Sequence, residues 1–134
     1  MEASEAPNPH LQRRIRVVIA DDHRLFAEAL EAILEGDSRI DVVGRARNGQ
    51  EAVELVSTLD PDLVLMDISM PVMDGVEATS QIMDTAPEVR VLMLTGSNSS
   101  ADVDRSRRAG AAGYVTKDRI ASQLIEAIID VGPR

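Results

Sequence analysis

Residues 63–67 read LVLMD and give the clearest indication of the fold, because four apolar residues run without a polar break into an acid. Such a run is typical of a strand buried on both faces, as a parallel sheet covered by helices requires. Similar short runs lie at residues 15–20, 42–44, 91–94 and 113–115. The sequence therefore predicts five strands, each buried on both faces.

Amphipathic stretches separate these runs, and each of them predicts a helix. Asn48 and Asp74 each stand three residues before a Glu, in the spacing of a capping box, and Asp118 is placed to cap the last helix. The fifth stretch, residues 99–109, has few apolar residues and predicts a short, loosely anchored helix capped by Ser99. The apolar positions of the other four helices are Leu25, Phe26, Ala29, Leu30, Ile33, Leu34, Ala52, Val53, Val56, Leu59, Val76, Ile82, Met83, Ile120, Leu124, Ala127, Ile128 and Val131.

The alternation of strands and helices predicts a (βα)₅ chain with a doubly wound, five-stranded parallel sheet. Right-handed crossovers leave few ways to cover both faces of such a sheet, and the flavodoxin-like order 2-1-3-4-5 is one of the two common solutions. In that order the switch point lies between strands 1 and 3. Functional residues are therefore expected beyond the carboxyl ends of those two strands.

Length and composition agree with one α/β domain. The chain has 134 residues, of which 44% are hydrophobic and 28% are charged, close to the averages for globular proteins. Residues 1–14 contain Pro7 and Pro9 without an apolar period, and we expect them to form a flexible leader before a domain at 15–131. Because the sequence lacks cysteine, a signal-peptide pattern and an apolar run of membrane-spanning length, a cytoplasmic location is expected.

The charge balance argues against nucleic acid as a direct partner. The formal net charge is −9, and Lys117 is the one lysine among the 14 basic residues. Binding to a phosphate backbone needs clustered Lys and Arg, which this chain does not provide. We therefore expect no direct binding to DNA by this chain.

Acids gather at the predicted carboxyl ends of the strands. Asp21 and Asp22 follow strand 1, Asp67 ends strand 3, Thr95 ends strand 4 and Lys117 follows strand 5. Three carboxylates packed together raise one another's pKa unless a cation joins them. A hard divalent cation that accepts one or two carboxylates and keeps its waters fits this set, so the sequence predicts Mg²⁺.

Two less specific interpretations of this end of strand 1 stay open. Asp21 or Asp22 can instead cap the first helix, which is what a lone acid after a strand does more often. His23 is interpreted as a partly exposed residue at the start of that helix, since no second His stands at ligand spacing.

Four motifs together resemble the receiver domain of bacterial two-component response regulators. They are ADD at residues 20–22, DISMPVMDG at 67–75, Thr95, and GYVTKD at 113–118. The opening VIADDH and the pair Lys117-Asp118 resemble the NarL/LuxR-type subfamily. Gly96 stands where this family commonly has Ala, and both residues leave the site accessible.

The resemblance implies a phosphoacceptor switch that is not a turnover enzyme. Asp67 is then the acceptor of a phosphoryl group from a sensor histidine kinase. Lys117 and the Thr95 hydroxyl contact phosphoryl oxygens. Mg²⁺ is held by Asp22, by Asp67, by the backbone carbonyl of Ser69 and, through water, by Asp21. The resemblance also implies a helix-turn-helix output domain, and therefore an indirect link to DNA, outside this chain.

The same resemblance implies that Thr95 and Tyr114 are the switch residues, the alternative for Tyr114 being an aromatic that only fills the core. Ile125 and Ile129 lie off the main apolar stripe of the last helix and are candidates for a partner or homodimer surface.

Three rival functions remain to be weighed against the phosphoacceptor. A receiver-like interaction module, stand-alone or phosphorylation-independent, does not need the complete set of five site residues. A phosphatase of the haloacid dehalogenase type needs a second Asp as general acid two residues after the nucleophile, where this chain has Ser69. A flavodoxin-type flavin site is disfavoured because the acids after strand 1 repel the flavin phosphate and only Phe26 and Tyr114 are aromatic.

Overall fold

The computed structural model describes residues 13–96 and 99–132, and most of the predicted leader at residues 1–14, namely residues 1–12, lies outside them. Within the described residues, five strands alternate with five helices, as the apolar pattern predicts. The elements are β1 (Ile15–Ala20), α1 (Arg24–Glu35), β2 (Ile40–Ala46), α2 (Gly49–Leu59), β3 (Leu63–Asp67), α3 (Gly75–Thr85), β4 (Arg90–Thr95), α4 (Ser100–Ala109), β5 (Gly113–Thr116) and α5 (Ile120–Val131), with a 3₁₀ turn (Lys117–Arg119) before α5.

The strands form one parallel sheet in the order β2-β1-β3-β4-β5, which confirms the predicted topology. Parallel pairing brings the carboxyl ends of β1, β3, β4 and β5 to one edge of the sheet. The register pairs Ala20 with Met66, Asp67 with Leu94, and Thr95 with Thr116. The candidate site residues that end or follow these strands therefore meet at that edge.

Two apolar layers cover the sheet, one on each face. The odd-numbered residues of β1 pack with buried side chains of α1 and α5, among them Leu30 and Leu124. Val18 and Ala20 of β1 pack with α2 and α3 on the opposite face, against Val56 and Ile82. Alternating side-chain direction along a strand produces this division, since successive residues point to opposite faces.

The prediction that all five strands are buried on both faces is wrong for the two edge strands. The three central strands are almost entirely buried, whereas β2 and β5 contain exposed residues, including Asp41 and Tyr114. An edge strand has a neighbour on one side only, so the covering helices overlap it less completely. The short apolar runs of β2 and β5 in the sequence reflect this position.

The apolar stripe of α1 is only partly the one predicted. Leu30 and Leu34 are buried, but Leu25 is 80% exposed and Ile33 is also exposed, while Ala27 is buried in their place. Leu25, Ala29 and Ile33 also follow helical spacing, so periodicity alone does not determine which of two adjoining stripes faces the sheet.

Most of the predicted helix boundaries are confirmed. The side chains of Asn48 and Asp74 accept hydrogen bonds from backbone N–H groups in the first turns of α2 and α3, each at 2.9 Å, and Ser99 caps α4. Asp118 is not a cap, because the 3₁₀ turn places Arg119 at the N-cap of α5. Helix α4 is short, and its one buried residue is Ser106, as expected for a loosely anchored helix.

Close packing fixes the loop that carries Asp67 into α3. A Cβ atom on Gly75 would lie 2.2 Å from the backbone oxygen of Asp67, so only glycine fits at this approach. The Gly75 N–H donates to the Ile68 carbonyl at 3.0 Å, and the Ile68 N–H donates to the Leu94 carbonyl at 3.1 Å. The end of β3 is thereby held against both α3 and β4.

In the part of the chain that the structure describes, no helix combines the length and the apolar character needed to cross a membrane.

Candidate functional site

A buried acid pocket, formed by Asp21, Asp22 and Asp67, lies at the carboxyl edge of the sheet. Asp21 and Asp67 are buried, and Asp22 is more exposed. The Lys117 Nζ atom lies 3.4 Å from Asp67 Oδ1 and 3.5 Å from Asp21 Oδ2. The structure therefore brings together three acids and one lysine that come from three separate parts of the sequence.

Asp21 is fixed by the start of α1 without being its cap. The Asp21 Oδ1 atom accepts a hydrogen bond from the His23 backbone N–H at 2.8 Å and lies 3.2 Å from His23 Nδ1. His23 itself occupies the N-cap position, so the interpretation of Asp21 or Asp22 as the helix cap is wrong. His23 starts the helix as predicted, but its contact with both acids was not predicted from the sequence.

One carboxylate oxygen of each buried acid has no hydrogen-bond partner among the described residues. These atoms are Asp21 Oδ2 and Asp67 Oδ2. A buried charged oxygen without a partner is costly in water-free surroundings, and the cost is relieved when a cation binds. The two oxygens therefore form an incomplete set of ligands.

Burial raises the pKa of the Asp67 carboxyl above its ordinary value, and the negative charge of Asp21 raises it further. The Lys117 ammonium and the Ser69 backbone N–H act in the opposite direction on this pKa. The net direction means that burial and the Asp21 charge together outweigh the effect of the Lys117 ammonium on this pKa. A bound cation would supply the missing charge.

The donor set fits a hard divalent ion. Ligand atoms from Asp21, Asp22, His23 and Asp67 all lie within 4.8 Å of one another. Carboxylate oxygens are the ligands that Mg²⁺ prefers, and this ion needs only one or two of them beside its waters. Three members of this group were predicted from the sequence, and His23 was assigned to the helix start alone.

Ser69 lies in the exposed part of the loop after β3, two residues beyond Asp67. Its backbone N–H is near enough to influence the Asp67 carboxylate. The predicted use of its carbonyl oxygen as a metal ligand stays a prediction.

The two predicted switch residues lie on neighbouring strands. Thr95 is buried at the carboxyl end of β4, one residue beyond the position that pairs with Asp67. Tyr114 on β5 is 43% exposed and therefore does not fill the core, which contradicts the simpler interpretation of this residue. It lines a groove of about 310 Å³ together with residues of α4, among them Val103 and Ser106.

Phe26 contacts the pocket lysine, and this contact was not predicted from the sequence. The Lys117 Nζ atom lies 4.6 Å from the centroid of the Phe26 ring, within the range of a cation–π interaction. Phe26 stands on α1, four residues after Asp22. The signal in the sequence was weak, since Phe26 also fits the apolar stripe of α1.

A comparison of the sequence with known protein families agrees with the geometry of this pocket. Residues 17–129 match the family described as the response regulator receiver domain, which is most of the chain. The chain belongs to the response-regulator receiver domain family. The resemblance inferred from the motifs around Asp21, Asp67 and Lys117 is thereby confirmed.

Individual relatives agree with this assignment. The transcriptional regulatory protein LnrK of Bacillus subtilis is 44% identical over 117 residues, which cover 87% of this chain and 53% of LnrK. The response regulator protein VraR of Staphylococcus saprophyticus is 40% identical over 114 residues, covering 85% of this chain and 54% of VraR. These are bacterial regulators of NarL/LuxR type. This receiver spans about half the length of the curated relatives it matches.

A solved structure supports the same fold. The signal receiver domain of the response regulator NarL from Mycobacterium tuberculosis has a TM-score of 0.86 and 33% identity to this receiver, covering 90% of this chain and 97% of that one.

Proposed function

We propose that this receiver is a phosphoacceptor switch in which Asp67 accepts a phosphoryl group from a phosphohistidine of a sensor histidine kinase. The observation that carries the proposal is the Asp67 carboxylate, which is buried, has one oxygen without a partner and lies 3.4 Å from the Lys117 ammonium. A buried carboxylate that is not consumed by a hydrogen bond is available as a nucleophile.

The transfer needs alignment and charge neutralisation more than covalent machinery. One Asp67 oxygen forms a bond to phosphorus while the P–N bond to the kinase histidine breaks. The bonding electron pair stays on the imidazole nitrogen, which takes up a proton, and Asp67 becomes an acyl phosphate. Lys117 neutralises one phosphoryl oxygen, and the Thr95 hydroxyl donates a hydrogen bond to another. Attack of water on the acyl phosphate later returns Asp67 to a carboxylate.

Asp22, Asp67 and the Ser69 carbonyl would hold Mg²⁺, with Asp21 acting through a water molecule. When bound, Mg²⁺ supplies positive charge that neutralises the phosphoryl oxygens during transfer. The oxygens of Asp21 and Asp67 that accept no hydrogen bond among the described residues support this assignment, as does the grouping of the acids within 4.8 Å. In this role the protein modifies itself and is not a turnover enzyme.

The proposed output is a change in the surface formed by α4, β5 and α5. The phosphoryl group draws the Thr95 hydroxyl toward Asp67, and Tyr114 turns into the space that Thr95 leaves. Helix α4 buries only Ser106, so small changes beneath it can shift its position. We propose that this surface, in the domain at 15–131, controls a helix-turn-helix output domain that binds DNA. Ile125 and Ile129, both partly buried against the core, stay candidates for a dimer surface.

Incubation with acetyl phosphate and Mg²⁺ tests the proposal without a kinase, because the pocket itself aligns the attack. Intact mass spectrometry should detect the gain of one phosphoryl group, and hydroxylamine should remove it. Chelation of Mg²⁺ with EDTA should prevent the gain, and so should Asp67→Asn. The exposed Asp84 on α3 provides the matched control, since Asp84→Asn removes one acid outside the pocket and should leave the gain intact. The same gain in Asp67→Asn would refute the proposal.

A further inference from the structure

We propose that Phe26 is a positioning residue whose ring holds the Lys117 ammonium over the acid pocket. The observation is the distance of 4.6 Å between Lys117 Nζ and the ring centroid, together with the 3.4 Å and 3.5 Å contacts of the same atom with Asp67 and Asp21. The ammonium thus lies between two carboxylates and an aromatic face. The consequence for phosphoryl transfer rests on the function proposed above, whereas the contact itself does not.

The carboxylates alone hold Lys117 loosely. Charge-assisted hydrogen bonds between an ammonium and a carboxylate are about 2.7–2.9 Å long, and both contacts of Lys117 are longer than this. A lysine ammonium is strongly hydrated and ends a flexible four-carbon stem, and the Lys117 side chain is 25% exposed. Without a further contact, the ammonium would spend part of its time in solvent, away from the phosphoryl site.

The ring is well placed to provide that contact because its own position is set by the core. Phe26 is partly buried and packs against the apolar layer beneath α1 and α5. It lies in the first turn of α1, whose N-cap His23 also fixes Asp21. One helix start therefore sets the positions of Asp21 and of the ring, and Lys117 is brought to both from the end of β5.

A positioned cation favours phosphoryl transfer, because charge that is already in place needs no reorganisation when the phosphoryl group arrives. A cation–π contact that is partly shielded from water corresponds to roughly a tenfold preference for the held position. We therefore expect loss of the ring to slow phosphorylation of Asp67 by about tenfold.

The competing account is that Phe26 only fills space between α1 and the sheet. Phe26→Leu and Phe26→Met keep an apolar side chain of similar reach but remove the aromatic face, whereas Phe26→Tyr keeps the ring. A packing role alone would leave the behaviour of Lys117 unchanged in all three variants. Because there are two such variants, the test can still be made if one of them does not fold.

The composition of the chain allows a direct measurement. Lys117 is its only lysine, so a sample labelled with ¹³C-lysine gives one Cε signal. In the parent chain we expect a ring-current shift of the attached protons and restricted motion by ¹³C relaxation. In Phe26→Leu and Phe26→Met the signal should move toward the value of a free lysine with greater mobility, and in Phe26→Tyr it should stay near that of the parent.

Rates of phosphorylation by acetyl phosphate are then measured on the same samples. The Leu and Met variants should be about tenfold slower than the parent, and the Tyr variant should recover most of the rate. Leu25→Ala is the matched control, because Leu25 is the neighbouring residue of α1 and is 80% exposed. It should change neither the Lys117 signal nor the rate.

Three results would overturn the proposal: an unchanged Lys117 signal in the Leu and Met variants, a Tyr variant that behaves like them, or a freed Lys117 with an unchanged rate. If the parent itself is not phosphorylated, the proposed function fails. The lysine signal then still decides whether Phe26 holds Lys117.

Discussion

At the scale of single residues, the acid pocket places three carboxylates that repel one another beside a single lysine. The one positive charge of the lysine offsets only part of their negative charge. Asp21 and Asp67 are both buried, and each has an oxygen without a hydrogen-bond partner among the described residues. Burial of these carboxylates therefore has an unfavourable electrostatic free energy in the folded protein. Unfavourable electrostatics of this kind are expected at a site that binds a cation and a phosphoryl group.

Asp67→Asn should stabilise the protein in Mg²⁺-free buffer at neutral pH. The pKa of Asp67 is raised in the folded chain, so between its ordinary and raised values the native state keeps a proton that the unfolded chain has lost. The free energy of unfolding of the parent therefore falls as the pH rises through that interval. Asparagine does not ionise, so the free energy of unfolding of Asp67→Asn does not fall in this way. Near pH 7 it should exceed that of the parent by about 1 kcal/mol.

Urea titrations at several pH values, with EDTA present, measure this difference. It should vanish below about pH 3, where Asp67 is protonated in both states. The exposed-site variant Asp84→Asn serves as the control and should gain no such advantage. An Asp67→Asn protein that is less stable than the parent at neutral pH would contradict the electrostatic account.

Val72, in the loop after β3, has a strained backbone conformation. Val72 has a φ of +69° and is 82% exposed, and a β-branched residue rarely adopts this conformation. Val72→Gly should raise the free energy of unfolding by about 1 kcal/mol, since it removes the strain and gives up little buried surface. Val72→Ala keeps a Cβ atom and should gain less. Urea unfolding curves in which Gly is no more stable than Ala would rule this strain out.

At the scale of elements, the sequence predicted β1, β3 and β4 well because their apolar runs are longer than those of the two edge strands. It did not determine the buried side of α1, where Leu25 and Ile33 continue one helical stripe while Ala27 and Leu30 form the buried one. The choice between them depends on how the helix packs on the sheet, which is a tertiary property. Phe26 was missed as a pocket residue for the same reason, since a side chain on an apolar stripe carries no sign of the lysine it meets.

Helix α4 and strand β5 form the element pair through which the proposed signal passes. Thr95→Ala should still accept a phosphoryl group on Asp67, because the nucleophile and Lys117 are intact, but it should not pass the change to Tyr114. Amide chemical shifts of residues 99–129, with and without beryllofluoride as an acyl-phosphate mimic, measure the response. The parent should shift throughout this range, and Thr95→Ala should shift much less. Equal perturbations in both proteins would rule out the coupling.

At the scale of the whole molecule, the parallel sheet order explains why a site built from distant residues could be predicted at all. Asp21, Asp67, Thr95 and Lys117 each end or follow a strand, and parallel strands bring those ends together. The prediction therefore needed only strand positions and order. The contact of His23 with the acids depends instead on the path of the chain entering α1, which no periodic pattern encodes.

The net charge of −9 predicts that the isolated chain does not bind DNA. It should not retain duplex DNA in a gel-shift assay at physiological salt, because it lacks the basic stripe that phosphate contacts require. Sequence-specific retention would mean that the receiver itself has a DNA-binding face.

Locating the phosphoryl group after reaction with acetyl phosphate and Mg²⁺ tests directly whether Asp67 is the acceptor. Borohydride reduces an acyl phosphate on an aspartate to homoserine, and peptide mass spectrometry then identifies the residue that was modified. The proposed function predicts homoserine at position 67 and an unmodified aspartate at positions 21 and 22. Homoserine at either of those positions, with Asp67 intact, would contradict it.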